Sequence, residues 1–581
     1  MKVSDFIIEF LVSKGVKDVF TVSGGGCIHL IDSLGKNKNI TYICNHHEQA
    51  SAIAAEGYSR INGNIGVALV TTGPGGINAL NGVFGCWTDS IPCLFLSGQV
   101  SLNQTIQNTK CRQIGDQEYP IIESVKPMTK YAVMITGKNT IRYHLERAYY
   151  EATNGRKGPV WIDIPLDIQG SDINPDELES FIPDQINETI KVSDIKNILS
   201  LIKSANKPLI VVGSGVRSAN AIDDLNKFLS ITQIPIMTSC HSAIDTVNES
   251  YPYYAGRHGI LGQRSSNQII QECDLLLVLG SRLILKTTGY NLNLFAKNAK
   301  KVIVDIDQNE IDKHKFNIDI KVNTDIKKFL TSINKSIQKP EINEWIEYCK
   351  NLRNKDRFVF DKHYNLKDKT SIYVFIEKLS KILPTNIPIV TSDGAAHVVT
   401  QQSIRLKENQ RLFTNTGCAS MGYGLPAAIG ACFANNKKEI ICIEGDGSIM
   451  MNLQELQTLK YYDLPIKLFI INNNGYFSIK QTQKLFFNGN EYASGPNNGV
   501  SIPSFEKIAY AFDIKYLSIK TNNQIDENIQ KALSLNEPIL CEIFAHDNEA
   551  FEPKVVPKGI DDNGRIIPGE LTDMFISESF D

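Results

Sequence analysis

Two short runs carry residue types suited to holding a cation and a phosphate: Glu444-Gly445-Asp446-Gly447-Ser448 and Asn472-Asn473-Asn474-Gly475. Asp446 and Asn473 offer oxygen donors of the kind a hard cation such as Mg2+ prefers. Gly445 and Gly447 let the backbone approach a phosphate closely, and a helix N-terminus following them favours negative charge. Each run follows an apolar stretch, residues 439–443 and 466–471, that reads as a buried strand. Between them Leu453, Leu456 and Leu459 recur at helical spacing within residues 452–462. Strand, turn, helix and strand in that order deliver an acid and an amide to the same ends of two strands. Open parallel sheets bind ligands at that edge. The plain alternative makes Asp-Gly and the Asn-rich run ordinary turns. Their pairing at matched strand ends favours the metal.

A second acid stands in Asn45-His46-His47-Glu48-Gln49, which opens an alanine-rich helix running to Arg60. The spacing Asn45-x-x-Glu48 is that of a capping box, in which the glutamate serves the backbone. Local sequence alone favours that cap. The chemical alternative is a carboxyl group able to hold a proton near neutral pH, which burial beside an apolar ring provides. Thr72-Gly73-Pro74-Gly75-Gly76 reads as a strand-to-helix turn. Ser23-Gly24-Gly25-Gly26 is not a dinucleotide fingerprint and is weak evidence by itself.

These residues need a scaffold of repeated strand and helix, and the chain supplies one. At 581 residues it is too long for a single ordinary core. Residues 1–170 alternate strand and helix signals, with strands expected at 18–22, 41–44, 67–71, 93–97 and 160–164, as a parallel sheet covered by helices requires. Residues 170–191 are polar and read as a linker. A central domain follows at 190–338, with clear strands near 209–212, 275–279 and 302–306. Residues 342–369 are charged and helical, as a connector would be. The third domain, 370–545, carries the opening motif, and 546–581 form a tail rich in Pro, Gly and acids. The fold class expected is α/β, three doubly wound parallel-sheet domains.

Composition is ordinary and globular, with 42% hydrophobic and 21% charged residues. A net charge of −3 without a basic block gives no reason to expect nucleic acid or an anionic membrane surface. The 12 cysteines contain no Cys-x-x-Cys pair, and most sit in apolar runs as buried free thiols do. Residues 1–5 lack a signal-peptide pattern, and no apolar run reaches membrane-spanning length. A cytoplasmic location is the expectation.

Gly445-Asp446-Gly447 followed by Asn472-Asn473 resembles the motif of the thiamine-diphosphate-dependent enzymes. Asn45 to Ala50, Ala55-Glu56-Gly57-Tyr58-Ser59-Arg60, Thr72 to Asn78, Gly98-Gln99-Val100 and Gly417 to Ala428 are similar to the acetolactate synthase group within that family. The resemblance covers nearly the whole chain. It implies thiamine diphosphate and Mg2+, the latter held by Asp446, Asn473 and a main-chain carbonyl at Gly475. It implies that Glu48 bonds N1′ of the cofactor's aminopyrimidine, so that the neighbouring imine can take a proton from the thiazolium. Pro74 and Asn78 lie against the aminopyrimidine, and Gly25 and Gly26 face the thiazolium. Met421 becomes the bulky residue that bends the cofactor, an enforced proximity that is a rate term; a core filler is its ordinary reading. Asp393, Gly394, Ala395 and Ala396 occupy the first diphosphate-contact segment, departing there from the group's Gly-Gln-His-Gln. Gly445, Gly447, Ser448, Ile449 and Tyr476 complete the cofactor set.

Gln117 falls where the group has an active-site glutamine, with Asp116 in place of an aromatic residue. That departure leans toward a more polar acceptor, unless Asp116 points to solvent. For FAD, which the group carries on its central domain, Gly256-Arg257-His258-Gly259 and Gly280-Ser281-Arg282-Leu283 retain part of the text. Lys286 and Ile284-Leu285 replace an arginine and two acids, which weighs against a bound flavin. The activity implied is decarboxylation of a 2-oxo acid, pyruvate first, with transfer of the two-carbon unit to a carbonyl acceptor. Pyruvate or 2-oxobutyrate, or a nucleotide-linked keto sugar, are the acceptors considered. A simple decarboxylase and a non-catalytic nucleotide-binding protein are the alternatives. A site shared between subunits implies a homodimer or homotetramer.

Overall fold

The computed structural model describes residues 1–107, 109–184, 190–563 and 565–577. It contains three six-stranded sheets in which every strand pairing is parallel. The first comprises β1 (Asp18–Thr21), β2 (Thr41–Cys44), β3 (Gly66–Val70), β4 (Cys93–Gln99), β5 (Tyr131–Met134) and β6 (Pro159–Pro165), in the order β2-β1-β3-β4-β6-β5. The second comprises β7 (Pro208–Val212), β8 (Ile236–Ser239), β9 (Tyr254–His258), β10 (Leu275–Leu279), β11 (Lys300–Asp305) and β12 (Ile320–Asn323), ordered β12-β11-β10-β7-β8-β9. The third comprises β13 (Pro388–Thr391), β14 (Arg411–Phe413), β15 (Ile440–Gly445), β16 (Ile466–Asn472), β17 (Lys515–Ile519) and β18 (Ile539–Phe544), ordered β14-β13-β15-β16-β18-β17. The first and third sheets thus share one strand order, and the second differs.

The central strands are apolar on both faces because helices cover both. β3, β7 and β10 are buried at every position. The first and third domains share one core. The alanine-rich helix Glu48–Asn62 lies against Gly424–Ala434 so closely that the backbones nearly touch. A Cβ on Gly430 would sit 1.8 Å from the Ala54 carbonyl oxygen, and one on Gly57 would sit 2.2 Å from that of Ala427.

The second domain is tied in by charge. Arg156 pairs with Asp307 and Glu310 at 2.7 and 2.8 Å, and Arg411 pairs with Asp245 at 2.6 Å. One stretch expected to be a plain connector does more. Within 342–369 the helix Asn343–Lys355 buries Trp345, Ile346 and Cys349 against the second sheet. The tail lays Leu571 on the same core and forms two short antiparallel hairpin pairings. Of the expected linker, residues 185–189 lie outside the described residues, as do 564 and 578–581 of the tail. Among the described residues no helix is long and apolar enough to cross a membrane.

One acid is buried in the first sheet without a cation. Asp163 on β6 accepts hydrogen bonds from Ser97 Oγ at 2.5 Å and Gln99 Nε2 at 3.1 Å. Burial pushes its pKa up to about 7 against those bonds. An unfolded aspartate ionises near pH ~3.9, so this group's contribution is complete below that pH. It is lost as pH rises toward the folded value. Asp163→Asn is therefore expected to flatten the pH dependence of stability in that window by up to about 1.4 kcal/mol per pH unit, measured by denaturant unfolding at several pH values. Gly430→Ala is expected to destabilise by at least about 1–3 kcal/mol, because a rigid carbonyl occupies the new methyl's place. An unchanged first unfolding transition in denaturant would show that the helix contact yields freely.

Candidate active site

β15 ends at Gly445, and Asp446 begins a single helical turn to Ile449. The next helix starts at Glu455, within the span predicted from the leucine spacing. The Asp446 side chain is 1% exposed. Its Oδ1 accepts from the Gly447 amide at 2.7 Å and its Oδ2 from the Gly475 amide at 3.0 Å. Burial still pushes its pKa up to about 6. Asn473 follows β16, and its buried Oδ1 has no hydrogen-bond partner. Gly475 adopts φ +124°, where a Cβ would lie 2.4 Å from the Ser494 carbonyl oxygen. Its own carbonyl accepts from the Phe477 amide at 3.0 Å and keeps a second lone pair. Tyr476 lies against Gly447, where a Cβ would be 2.6 Å from the ring.

The third sheet's switch point lies between β13 and β15, and the side chains meet there. Ser448 Oγ accepts from the Gly422 amide at 2.8 Å, donates to Glu444 Oε1 at 3.1 Å, and contacts Ser392 Oγ. Asp393 and Gly394 form the turn after β13, with Gly394 at φ +66°, and Ala395 and Ala396 open the helix Ala395–Ser403. Met421 precedes Gly422, whose carbonyl is held by Asn452 Nδ2 at 2.8 Å. Glu444 is a residue to which no role was given from sequence. It is fully buried, its Oε2 is unpaired, and burial pushes its pKa up to about 8.

In the first domain the capping expectation fails. The cap of the helix Glu48–Asn62 is His47, whose Nδ1 accepts from the Gln49 amide at 3.1 Å. Asn45 instead donates to Glu455 Oε2 at 2.9 Å, and the His46 amide donates to Glu455 Oε1 at 2.9 Å, joining first and third domains. Glu48 is thereby free of the backbone. Its Oε2 accepts from Asn78 Nδ2 at 3.0 Å, and a Cβ on Gly75 would lie 3.4 Å from its Oε1. The turn before Pro74 is fixed by Thr72 Oγ1 donating to Gln99 Oε1 at 2.6 Å. The Gly26 amide donates to Thr71 Oγ1 at 3.1 Å, which brings Gly25 and Gly26 beside this turn. The Gln117 carbonyl abuts Gly73, where a Cβ would come within 2.1 Å, while the Asp116 and Gln117 side chains are exposed.

The expected residues therefore gather into two groups, Glu48 with Asn78, Pro74 and Gly26, and Asp446 with Asn473, Gly475 and Ser448. Among the described residues no hydrogen bond or ion pair joins one group to the other within the chain.

Three family models match in order. Residues 1–118 match "Thiamine pyrophosphate enzyme, N-terminal TPP binding domain", 195–333 the central domain, and 393–543 the C-terminal TPP binding domain. The chain is 30% identical to acetolactate synthase isozyme 2 large subunit of Escherichia coli over 96% of its own length and 98% of that protein's. It is equally 30% identical to acetolactate synthase 1, chloroplastic, of Nicotiana tabacum, covering 96% and 84%, and to a probable acetolactate synthase large subunit of Methanococcus aeolicus, covering 96% and 94%. With both cofactor-binding halves and the central domain present along almost its full length, the chain belongs to the thiamine pyrophosphate enzyme family and is similar there to acetolactate synthase large subunits.

Proposed function

We propose that the protein is a thiamine-diphosphate-dependent carboligase that decarboxylates pyruvate and passes the two-carbon unit to a carbonyl acceptor. The observation that carries this is Glu48, held in place by Asn78 and paired with no cation among the described residues. A carboxyl so placed suits proton exchange with a ring nitrogen. Thiamine diphosphate, when bound, supplies the carbon nucleophile and the electron sink for loss of CO2.

The residues present fit the cofactor and its metal. The unpaired Asn473 Oδ1 and the Asp446 carboxylate are hard oxygen donors for Mg2+, with the Gly475 carbonyl as a third. Ser448, Gly447 and the turn Asp393–Ala396 would bind the diphosphate. Met421, Pro74, Gly25 and Gly26 would shape the ring pockets, and Gln117 would face the substrate. The flavin text is spent elsewhere, which supports a second domain without FAD. Arg257 donates to the carbonyls of Gln401 and Ile404 at 2.6 and 2.7 Å, and Arg282 donates to the Thr88 carbonyl at 2.6 Å.

Two copies are proposed to complete each site, as a homodimer or a pair of homodimers. The helix Pro74–Asp89, which carries Asn78, leaves Ile77, Phe84 and Trp87 about two-fifths exposed, an apolar stripe that a second copy would cover. All twelve cysteines are unpaired, which suits a reducing cytoplasm.

Glu48→Gln is expected to cut pyruvate turnover by about 10²–10⁴-fold while leaving Mg2+-dependent cofactor binding in calorimetric titration intact. Asp446→Ala is expected to abolish that binding. Full turnover by the Glu48 variant would remove the assignment. Pyruvate consumption, with acetolactate assayed in the same tube, measures the reaction itself.

A further inference from the structure

A cleft of about 550 Å³ is lined by residues that play no part in either half of the candidate active site. The segment before β9 brings Glu249, Tyr251 and Pro252 to it, and Gln263 joins them from the start of the helix Arg264–Glu272. Arg353 comes from the helix Asn343–Lys355, and Arg405 reaches in from the third domain. A cleft of that size suits a small organic ligand and exceeds what a lone ion needs. Arg405 lies two residues beyond the C-terminal end of Ala395–Ser403, whose first turn is proposed to bind the diphosphate. Nine helical residues, about 13 Å along the axis, separate the two places.

The groups around the cleft carry hydrogen-bond donors in excess. Gln263 is 4% exposed, and its Oε1 accepts from the Arg257 amide at 2.9 Å, while its Nε2 donates to nothing among the described residues. A buried amide with unused donors needs a reason. Arg353 donates from Nη2 to the Glu249 carbonyl at 2.9 Å and leaves its other donors unspent. The Arg405 side chain is 49% exposed and makes no hydrogen bond among the described residues; its Nη1 stands 3.6 Å from Glu249 Oε2. Glu249 is one acid shared by three guanidiniums, since its Oε1 already accepts from the buried Arg257. Asp356, the next acid along, is engaged by the Ser265 amide at 2.9 Å. Burial holds Arg353 below its usual pKa, and Arg405 and Arg257 add to that effect against Tyr254 and Glu249.

Positive charge and free donors thus converge on one cleft, and the ligand they call for is an anion. One carboxylate is matched by one guanidinium fork. A phosphate monoester carries close to two charges and three terminal oxygens, so it can take both forks and the Gln263 amide together. The wall opposite is the half-buried Tyr251 ring with Pro252, which suits a planar ring rather than a chain of hydroxyls. We propose that this cleft is a second ligand site, apart from the cofactor's, and that it takes an organic phosphate bearing a planar ring, with Arg353, Arg405 and Gln263 on the phosphate and Tyr251 and Pro252 against the ring.

The test is calorimetric titration of the full chain, already saturated with thiamine diphosphate and Mg2+ so that the cofactor's own phosphate sites are filled. Adenosine 5′-monophosphate is the probe, with inorganic phosphate and adenosine as the two halves of it. The expected result is binding of the monophosphate at least ~10-fold tighter than either half. Arg405→Gln is expected to weaken it at least ~10-fold, the loss of one charged hydrogen-bonding fork. Absence of binding, equal affinity for inorganic phosphate, or an affinity unmoved by Arg405→Gln would each overturn the assignment. Arg405 is half exposed, so the variant is expected to fold; should it not, the comparison of the three probes on the unaltered chain decides the question.

Discussion

The backbone contact between Glu48–Asn62 and Gly424–Ala434 fixes where everything else lies. Helices usually meet through side chains at about 8–10 Å between axes. Here Gly57 and Gly430, with Ala54 and Ala427 opposite them, remove the side chains and let carbonyls press on Cα atoms. The contact is short enough to bring buried charge into play. Glu56 is fully buried beside it and accepts from Arg60 Nη2 at 2.6 Å, while the same nitrogen reaches Asp89 at 2.6 Å. Burial and Asp89 outweigh the guanidinium, and the Glu56 pKa rises to about 7. Asp89 in turn accepts from the Gly417 amide at 2.9 Å, so the network ends on the loop that leads to Met421. Hydrogen bonds thereby link the helix contact to the loop that precedes Met421.

Much of this was legible in the sequence, and unevenly. Asp446 and Asn473 could be found because turn chemistry repeated at two strand ends, which few structural reasons demand together. Long strands buried on both faces, such as β7, β10 and β16, announce themselves as continuous apolar runs. β5, β9, β12, β14 and β17 did not, being edge strands, as in the half-buried β5, and neither did the interior strands β8, β13 and β18, of which β8 and β13 are only four residues long. The helix Asn343–Lys355 reads as a connector because its charged residues are as many as its apolar ones. Trp345, Ile346 and Cys349 are buried, and Tyr348 and Leu352 pack beside them on the same core.

Side-chain partners across domains were the least legible. Asn45 stands three residues before Glu48, and a capping box is the local solution for such a pair. Tertiary structure offered Asn45 a stronger partner in Glu455, 410 residues away, and gave the cap to His47. No spacing rule reaches that far. The same competition decides Glu48: once the cap is taken by a neighbour, its carboxylate is released toward Asn78. A carboxylate at a helix start is thus left free of the backbone by the histidine that caps the helix beside it.

The equal strand order of the first and third sheets gives this release a wider meaning. In both sheets the switch point lies between the first and third strands of the domain, and in both a glycine-rich turn meets a hydroxyl there, Gly26 with Thr71 and Gly422 with Ser448. One architecture has therefore been given two different acids. In the third domain Asp446 is buried and bonded to two amides, a setting that holds a carboxylate still for a cation and leaves it little freedom to trade protons. In the first domain Glu48 is half-buried, on a longer side chain, and bonded to a single amide group. Rigidity and multiple donors suit a ligand, whereas a single partner leaves a carboxyl free to turn toward a bound ring. In the proposed function, the division of labour between the two halves rests on how each carboxylate is held, with the same sheet beneath both.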